Sequence, residues 1–200
     1  MDGLHERDAP ADPVEQFRAW FSRALQTDRQ ADAMALATAT GDGTPSVRMV
    51  LLKSVDERGL VFGTNFESRK GRELDDNPRA AVTFHWVVLH RQVRAEGRVE
   101  RCPDEESDAI WNARPREARL AAAASRQSEP IPDRETLERA FAELDARHPR
   151  DDVPRPAFWG GYRLVPDAWE FWQGRDHRLH DRLRYTPDDA GGWGIIRLAP

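Results

Sequence analysis

From Ala33 onward the chain is cut into short runs of strand-forming residues, each closed by a turn or a breaker, and this punctuation constrains the fold more than any other feature. Residues 33–40, 46–54, 60–64, 80–86 and 92–101 read as strands, separated by Gly41-Asp42-Gly43, Asp56-Glu57-Arg58-Gly59 and Asn77-Pro78 among others. Strands this short cannot bury a face alone, so the pattern predicts an antiparallel meander curling into a small barrel, a shape that commonly holds a ligand at a mouth or a subunit interface. Strands return at 161–165, 168–173, 182–185 and 193–198, the last two as a closing hairpin. Helices decorate this frame. Asp12-Pro13-Val14-Glu15 has a capping aspartate and a proline at the first helical position, and Val14, Phe17, Trp20, Phe21, Ala24 and Leu25 follow at helical spacing to near Thr27. Residues 68–74, 104–112 and 133–147 are further helix candidates, the last with Leu137, Phe141 and Leu144 on one face and with prolines on either side. The expected class is mainly β with flanking helices (α+β), with a short N-terminal tail at 1–11 and a single domain over 12–200.

A chain of 200 residues can bury roughly 70% of its unfolded surface, so it needs no staples. The longest apolar runs, at 34–37 and 120–124, fall far short of the roughly 18 residues of a membrane span, and the acidic N-terminus lacks a signal-peptide pattern. A cytoplasmic protein with no membrane contact is expected. The lone cysteine, Cys102, excludes an internal disulfide framework, and a net charge of -5 argues against nucleic acid as partner. Of the 30 basic residues only Lys53 and Lys70 are lysines. Arginine serves wherever a cation will do, so two positions that keep a compact ammonium invite a specific role.

Familiar catalytic signatures are absent. Gly41-Asp42-Gly43 runs on into Thr44-Pro45-Ser46 between strands rather than opening a helix, neither lysine follows a glycine-rich run, and no nucleophile elbow is present. His177 and His180 form an H-x-x-H pair without an acidic ligand pattern, so no metal is expected. Function must rest on a noncovalent constellation.

Three segments stand out together: Arg48-Met49-Val50-Leu51-Leu52-Lys53, Ser68-Arg69-Lys70-Gly71, and Glu170-Phe171-Trp172-Gln173-Gly174 running on to Arg178-Leu179-His180-Asp181-Arg182. With Arg91-Gln92-Val93, Arg114-Pro115-Arg116, Ser125-Arg126-Gln127-Ser128, Phe158-Trp159-Gly160-Gly161-Tyr162 and the terminal Arg197-Leu198-Ala199-Pro200, the chain resembles the pyridoxamine/pyridoxine 5'-phosphate oxidases from about Asp12 to Pro200. The resemblance implies an FMN-binding split β-barrel working as a homodimer. It implies FMN contacts from Arg48, Met49, Val50, Leu51, Leu52, Lys53, Gly63, Thr64, Arg69, Lys70, Gln92, Gln127 and Ser128, with Trp172 and Arg182 supplied by the partner chain. Arg48, Arg69 and Lys70 would form the flavin-phosphate cluster. An isolated arginine in so arginine-rich a chain is ordinarily a solvated surface residue, but Arg48 sits inside an apolar strand and both lysines fall on motif positions.

For the substrate, the resemblance implies Lys53 and Arg114 at the phosphate of a phosphorylated B6 vitamer, with Arg178 and His180 as catalytic residues at the reacting face beside Leu179. The implied reaction oxidises pyridoxamine or pyridoxine 5'-phosphate to pyridoxal 5'-phosphate with O2 as acceptor and H2O2 as product. Three positions depart from the family pattern: Ile110 and Ala118 stand where a tyrosine and a serine usually contact the substrate phosphate, and Gly63 replaces a larger residue. These departures keep open an FMN-dependent oxidase of a reduced tricyclic aromatic, as in phenazine biosynthesis, which resembles the same family. A flavin-binding barrel without turnover is the third reading.

Overall fold

The computed structural model describes residues 3–200, so the first two residues of the expected tail lie outside it. Eight strands form one antiparallel sheet: β1 (Ala33–Ala39), β2 (Pro45–Asp56), β3 (Gly59–Asn65), β4 (Arg79–Trp86), β5 (Arg91–Arg101), β6 (Trp159–Gln173), β7 (Asp181–Pro187) and β8 (Trp193–Arg197). Their order is β3-β2-β1-β4-β5-β6-β7-β8, and an additional β3–β6 pairing closes the first six into a barrel. This is the split-barrel, mainly β architecture.

It corrects the simple meander. Helix α2 (Arg69–Asp76) follows β3 and delivers β4 not to β3 but to the far edge of β1, where Leu36 pairs with Val82. A hairpin turn would have forced sequential pairing; eight helical residues release the chain to the other edge. The two strands expected at 161–165 and 168–173 are likewise one 15-residue strand. Pro166 interrupts neither half because it sits opposite Gly97 at a register shift in β5, where a missing N–H costs no ladder bond. Only glycine fits there: a Cβ on Gly97 would lie 2.0 Å from the Val165 carbonyl oxygen. The first half of β6 pairs with β3 and closes the barrel; the second half pairs with β7 and carries the closing hairpin.

Helix α1 (Pro13–Leu25) begins as its sequence predicts, with the Asp12 carboxylate accepting from the Val14 N–H at 2.8 Å. Val14, Phe17, Trp20 and Ala24 are buried, and the Phe17 ring lies tilted with its centroid 5.1 Å from that of Phe84 and 5.6 Å from that of Trp169. Val14 and Phe17 each contribute about 1.5–3 kcal/mol by leaving water. Leu25 departs from the expected stripe and is exposed, because the helix ends there beyond the edge of the core. Residues 3–10 lie against the hairpin: Leu4 N–H donates to Asp181, Arg197 donates to the Leu4 carbonyl, and Tyr185 Oη donates to the Pro10 carbonyl.

A second, smaller core joins α3 (Asp104–Asn112), α4 (Arg116–Ala124) and α5 (Arg134–Arg147) to the start of β6. Trp111 and Trp159 meet edge to face at 4.9 Å, and Trp111 Nε1 donates to the Val153 carbonyl. Phe141 and Leu144 face this core, whereas Leu137 points to solvent. The α4 helix was not expected from the sequence. Its run of small residues after Pro115 carries little periodicity, and its ordering depends on Leu120 reaching the second core. No helix among the described residues is long and apolar enough to cross a membrane.

Candidate active site

Strand β2 is built by alternation. Val47, Met49 and Leu51 face outward and are 45–68% exposed, while Leu52 turns into the barrel core. Between Leu52 and Ser54 the register with β3 shifts, leaving Lys53 as the extra residue. Such a bulge re-aims a side chain. Lys53 joins Ser46, Val47, Arg48, Met49, Val50 and Leu51 along a cavity of about 770 Å³. Its other walls are Gly63, Thr64 and Asn65 of β3, Arg69 and Lys70 at the start of α2, Arg114, the small residues Ala118, Ala121 and Ala122 of α4, Ser125, Gln127 and Ser128, and Trp159.

At one end the cations cluster. Ser68 caps α2, bringing Arg69 and Lys70 to its first turn. The buried Lys70 ammonium donates to Thr64 Oγ1 at 2.9 Å, Ser68 Oγ at 3.0 Å and Gln127 Oε1 at 2.9 Å, all neutral oxygens. Burial, then the charge of Arg48, pushes its pKa down to about 8, against the pull of Glu73. Arg48 leans on Thr38, Ser46, the Leu36 carbonyl and Glu73, and Arg69 donates to the other oxygen of Glu73 at 2.8 Å. Burial alone would raise the Glu73 carboxyl, but hydrogen bonds from Ser46, Thr38, Arg69 and Arg48 hold it at about 2.

Along β2, Arg48 and Lys53 are about 17 Å apart at strand rise. A second cation, Arg114, also lines the cavity. Its guanidinium carbon lies 5.0 Å from the Trp159 ring centroid and 5.8 Å from that of Trp111, and Nη2 donates to the Ala118 carbonyl at 2.8 Å. Its Nε is buried without a partner, it makes no ion pair among the described residues, and burial lowers its pKa. Ser128 has a left-handed backbone, φ 77°, uncommon for a residue with a side chain and typical of sites where the surroundings enforce it.

The remaining candidate residues gather elsewhere. Gln92 pairs with Trp172, and Trp172 with Arg182, across β5, β6 and β7. Register thus puts Gln92 beside Trp172 rather than beside Gln127 and Ser128. The Trp172 and His180 rings are 4.7 Å apart, and His180 Nδ1 accepts the Arg175 N–H, which directs the proton of the neutral ring to Nε2. His177 and Arg178 both have left-handed φ, and Leu179 is 69% exposed. Arg182 donates to Glu170 at 2.9 Å and to the Ala199 carbonyl. None of Gln92, Trp172, Arg178, Leu179, His180 and Arg182 lines the cavity of its own chain.

Ala118 lines the cavity, but Ile110 does not: it packs behind Gly63 and Gly161, 3.3 and 3.0 Å from where their Cβ atoms would be. The space in front of Gly63 belongs to the Trp159 indole, whose Cη2 lies 2.7 Å from such a Cβ. The sequence pattern gives Trp159 no role and does not single out Glu73, for which the i,i+4 spacing from Arg69 is the available signal. Cys102 is buried, and burial pushes its thiol up to about 11. Among the described residues no three His, Cys, Asp or Glu side chains gather as a metal site.

Comparison with known proteins shows the family and the fold. The family model described as "Pyridoxamine 5'-phosphate oxidase" matches residues 15–148, and that described as "Pyridoxine 5'-phosphate oxidase C-terminal dimerisation region" matches residues 159–200. The pyridoxine/pyridoxamine 5'-phosphate oxidase of Cupriavidus pinatubonensis is 52% identical over 100% of this chain and 94% of its own. That of Rubrobacter xylanophilus is 55% identical over 99% and 91%. The crystal structure of PhzG from Burkholderia lata in complex with tetrahydrophenazine-1-carboxylic acid superposes with a TM-score of 0.93 at 36% identity, covering 100% of this chain and 99% of the other. A pyridoxamine 5'-phosphate oxidase-related, FMN binding protein from Nostoc punctiforme shares the fold, with a TM-score of 0.74 at 20% identity over 94% and 98%.

Proposed function

This chain belongs to the pyridoxamine 5'-phosphate oxidase family and is an oxidase, and from that premise we propose that it converts pyridoxamine or pyridoxine 5'-phosphate to pyridoxal 5'-phosphate, with FMN as cofactor. The observation that carries this reading is one cavity lined by five cations, of which Arg48, Arg69 and Lys70 cluster around Glu73 and Thr64 while Lys53 and Arg114 take no part in that network. Two phosphorylated molecules lying face to face, a cofactor and a substrate, account for both sets. The residues present fit FMN: Lys70 is buried among neutral oxygens with no carboxylate in contact, a costly arrangement unless an anion completes it. When bound, FMN supplies the hydride acceptor and passes the electrons to O2, releasing H2O2.

The chain's own residues bind and orient. Arg48, Arg69 and Lys70 hold the cofactor phosphate through charge-assisted hydrogen bonds, and Thr64, Gln127 and Ser128 meet its polar edges. Lys53 and Arg114 hold the substrate phosphate. Gln92, Trp172, Arg178, His180 and Arg182 act across a homodimer interface, each cavity being completed by the partner subunit. Their absence from the cavity of their own chain supports this, as does the match of residues 159–200 to a dimerisation region. Arg178 stabilises negative charge on the substrate's ring hydroxyl, and His180 positions the ring.

A second reading, oxidation of a reduced tricyclic aromatic, is favoured by the 36% identical neighbour and by Ala118 in the cavity wall. Against it, the room that Gly63 opens is filled by Trp159. Anaerobic mixing of the yellow protein with pyridoxamine 5'-phosphate decides: bleaching of the flavin's visible absorbance is expected. Bleaching only by a reduced tricyclic carboxylate would install the second reading, and no bleaching by either would overturn both.

A further inference from the structure

Glu73 binds both arginines of the cation cluster, yet it does not itself line the cavity. Its side chain is 3% exposed, against 20% for Arg48 and 57% for Arg69, so the carboxylate lies beneath the guanidinium groups and not beside the ligand. One oxygen takes Arg69 Nε at 2.8 Å; the other takes Arg48 Nη2 at 3.2 Å, Ser46 Oγ at 2.6 Å and Thr38 Oγ1. Thr38 and Ser46 each also accept from Arg48, so three of the guanidinium's four acceptors are one Glu73 oxygen and the two hydroxyls that donate to it, the fourth being the Leu36 carbonyl. A network satisfied at every member rigidifies what it holds.

We propose that Glu73 is the positioning residue of the phosphate cradle: from behind the cations it fixes the directions of Arg48 and Arg69 and leaves the cluster with two net positive charges. The inference rests on the reading of this cluster as a flavin-phosphate site. Arg48, Arg69 and Lys70 bring three charges and Glu73 removes one, which matches a phosphate monoester near its dianionic form at neutral pH. Orientation matters because a charge-assisted hydrogen bond weakens steeply once its donor swings off line. Without the carboxylate the mutual repulsion of Arg48 and Lys70 would also drive the arginine outward.

The test separates phosphate recognition from general damage by titrating full-length protein, freed of flavin, with FMN and with riboflavin, which lacks the phosphate, and following flavin fluorescence. Glu73→Gln should weaken FMN binding by about tenfold or more and leave riboflavin within about twofold, the scale of one misdirected charge-assisted bond. Thr38→Val touches the network without touching the cavity and should show the same selectivity with a smaller loss; it decides alone if Glu73→Gln does not fold. Equal losses for the two flavins would overturn the proposal in favour of a packing role, and unchanged or tighter FMN binding would overturn it by showing the carboxylate merely opposes the phosphate. Parent protein that binds riboflavin as well as FMN would instead remove the flavin-phosphate reading itself, and the proposal with it.

Discussion

Arg163 and Arg114 are both arginines withdrawn from water, and their surroundings differ in one respect. Arg163, 3% exposed on the closing strand, faces two carboxylates, Asp56 at 2.8 Å and Glu106 at 2.5 Å. Arg114, half-buried in the cavity wall, faces two indole rings and a carbonyl and has no acid in reach among the described residues. The same contrast separates Arg155, which bonds Asp104 and Asp108, from Lys70, which meets only neutral oxygens. Arg163 and Arg155 are neutralised by acids within the fold. On the proposed function, the anion that Lys70 and Arg114 lack is supplied by bound phosphate.

The largest effects should come from exchanging these environments. Arg163→Met strands two carboxylates at the barrel seam and should cost about 3 kcal/mol in urea denaturation, while Arg114→Met should leave stability within about 1 kcal/mol and lower kcat/KM for the phosphorylated substrate by about 10- to 100-fold. A large stability loss in the second variant would erase the distinction.

Lys70→Met should release FMN on gel filtration while the flavin-free protein is as stable as its parent at pH 7, or more so. The sign follows from linkage: the folded pKa, about 8, lies below the unfolded value near 10.4, so between the two the unfolded chain binds more protons and stability rises with pH. The lysine's charge therefore disfavours the flavin-free fold at neutral pH. For the same reason, FMN affinity of the parent should fall as pH rises through about 8, where the flavin-free site loses its proton. A flat profile from pH 7 to 9, by flavin titration, would remove Lys70 from the phosphate site.

The smallest effect concerns the departures from the family pattern. Ala118→Ser restores one hydroxyl in the cavity wall and should lower KM for pyridoxamine 5'-phosphate by about 2- to 10-fold. Ile110→Tyr should instead cost about 1–3 kcal/mol in stability, because Ile110 already touches the space above Gly63 and Gly161. An unchanged KM in the serine variant would favour the tricyclic substrate.

Much of this was readable from residues alone, for a local reason. Asp12 and Pro13 start α1 through bonds within two residues, and the alternation along β2 follows from the two-residue period of a strand. The cations at 48, 53, 69, 70 and 114 are nominated by the family resemblance rather than by local chemistry. What local pattern could not specify was partnership. The pairing of β1 with β4, the closure of β3 on β6 and the unbroken course of β6 past Pro166 depend on surfaces that meet only after the chain returns on itself. Whether a cation is neutralised is equally non-local: Asp56 reaches Arg163 across 107 residues, Gln127 reaches Lys70 across 57, and the Trp159 indole covers Gly63 from the opposite strand. Local chemistry along the chain specifies which residues can be strand, helix or cation; which cations are left without an acid emerges only on folding, because burial and charge compensation are properties of neighbours in space.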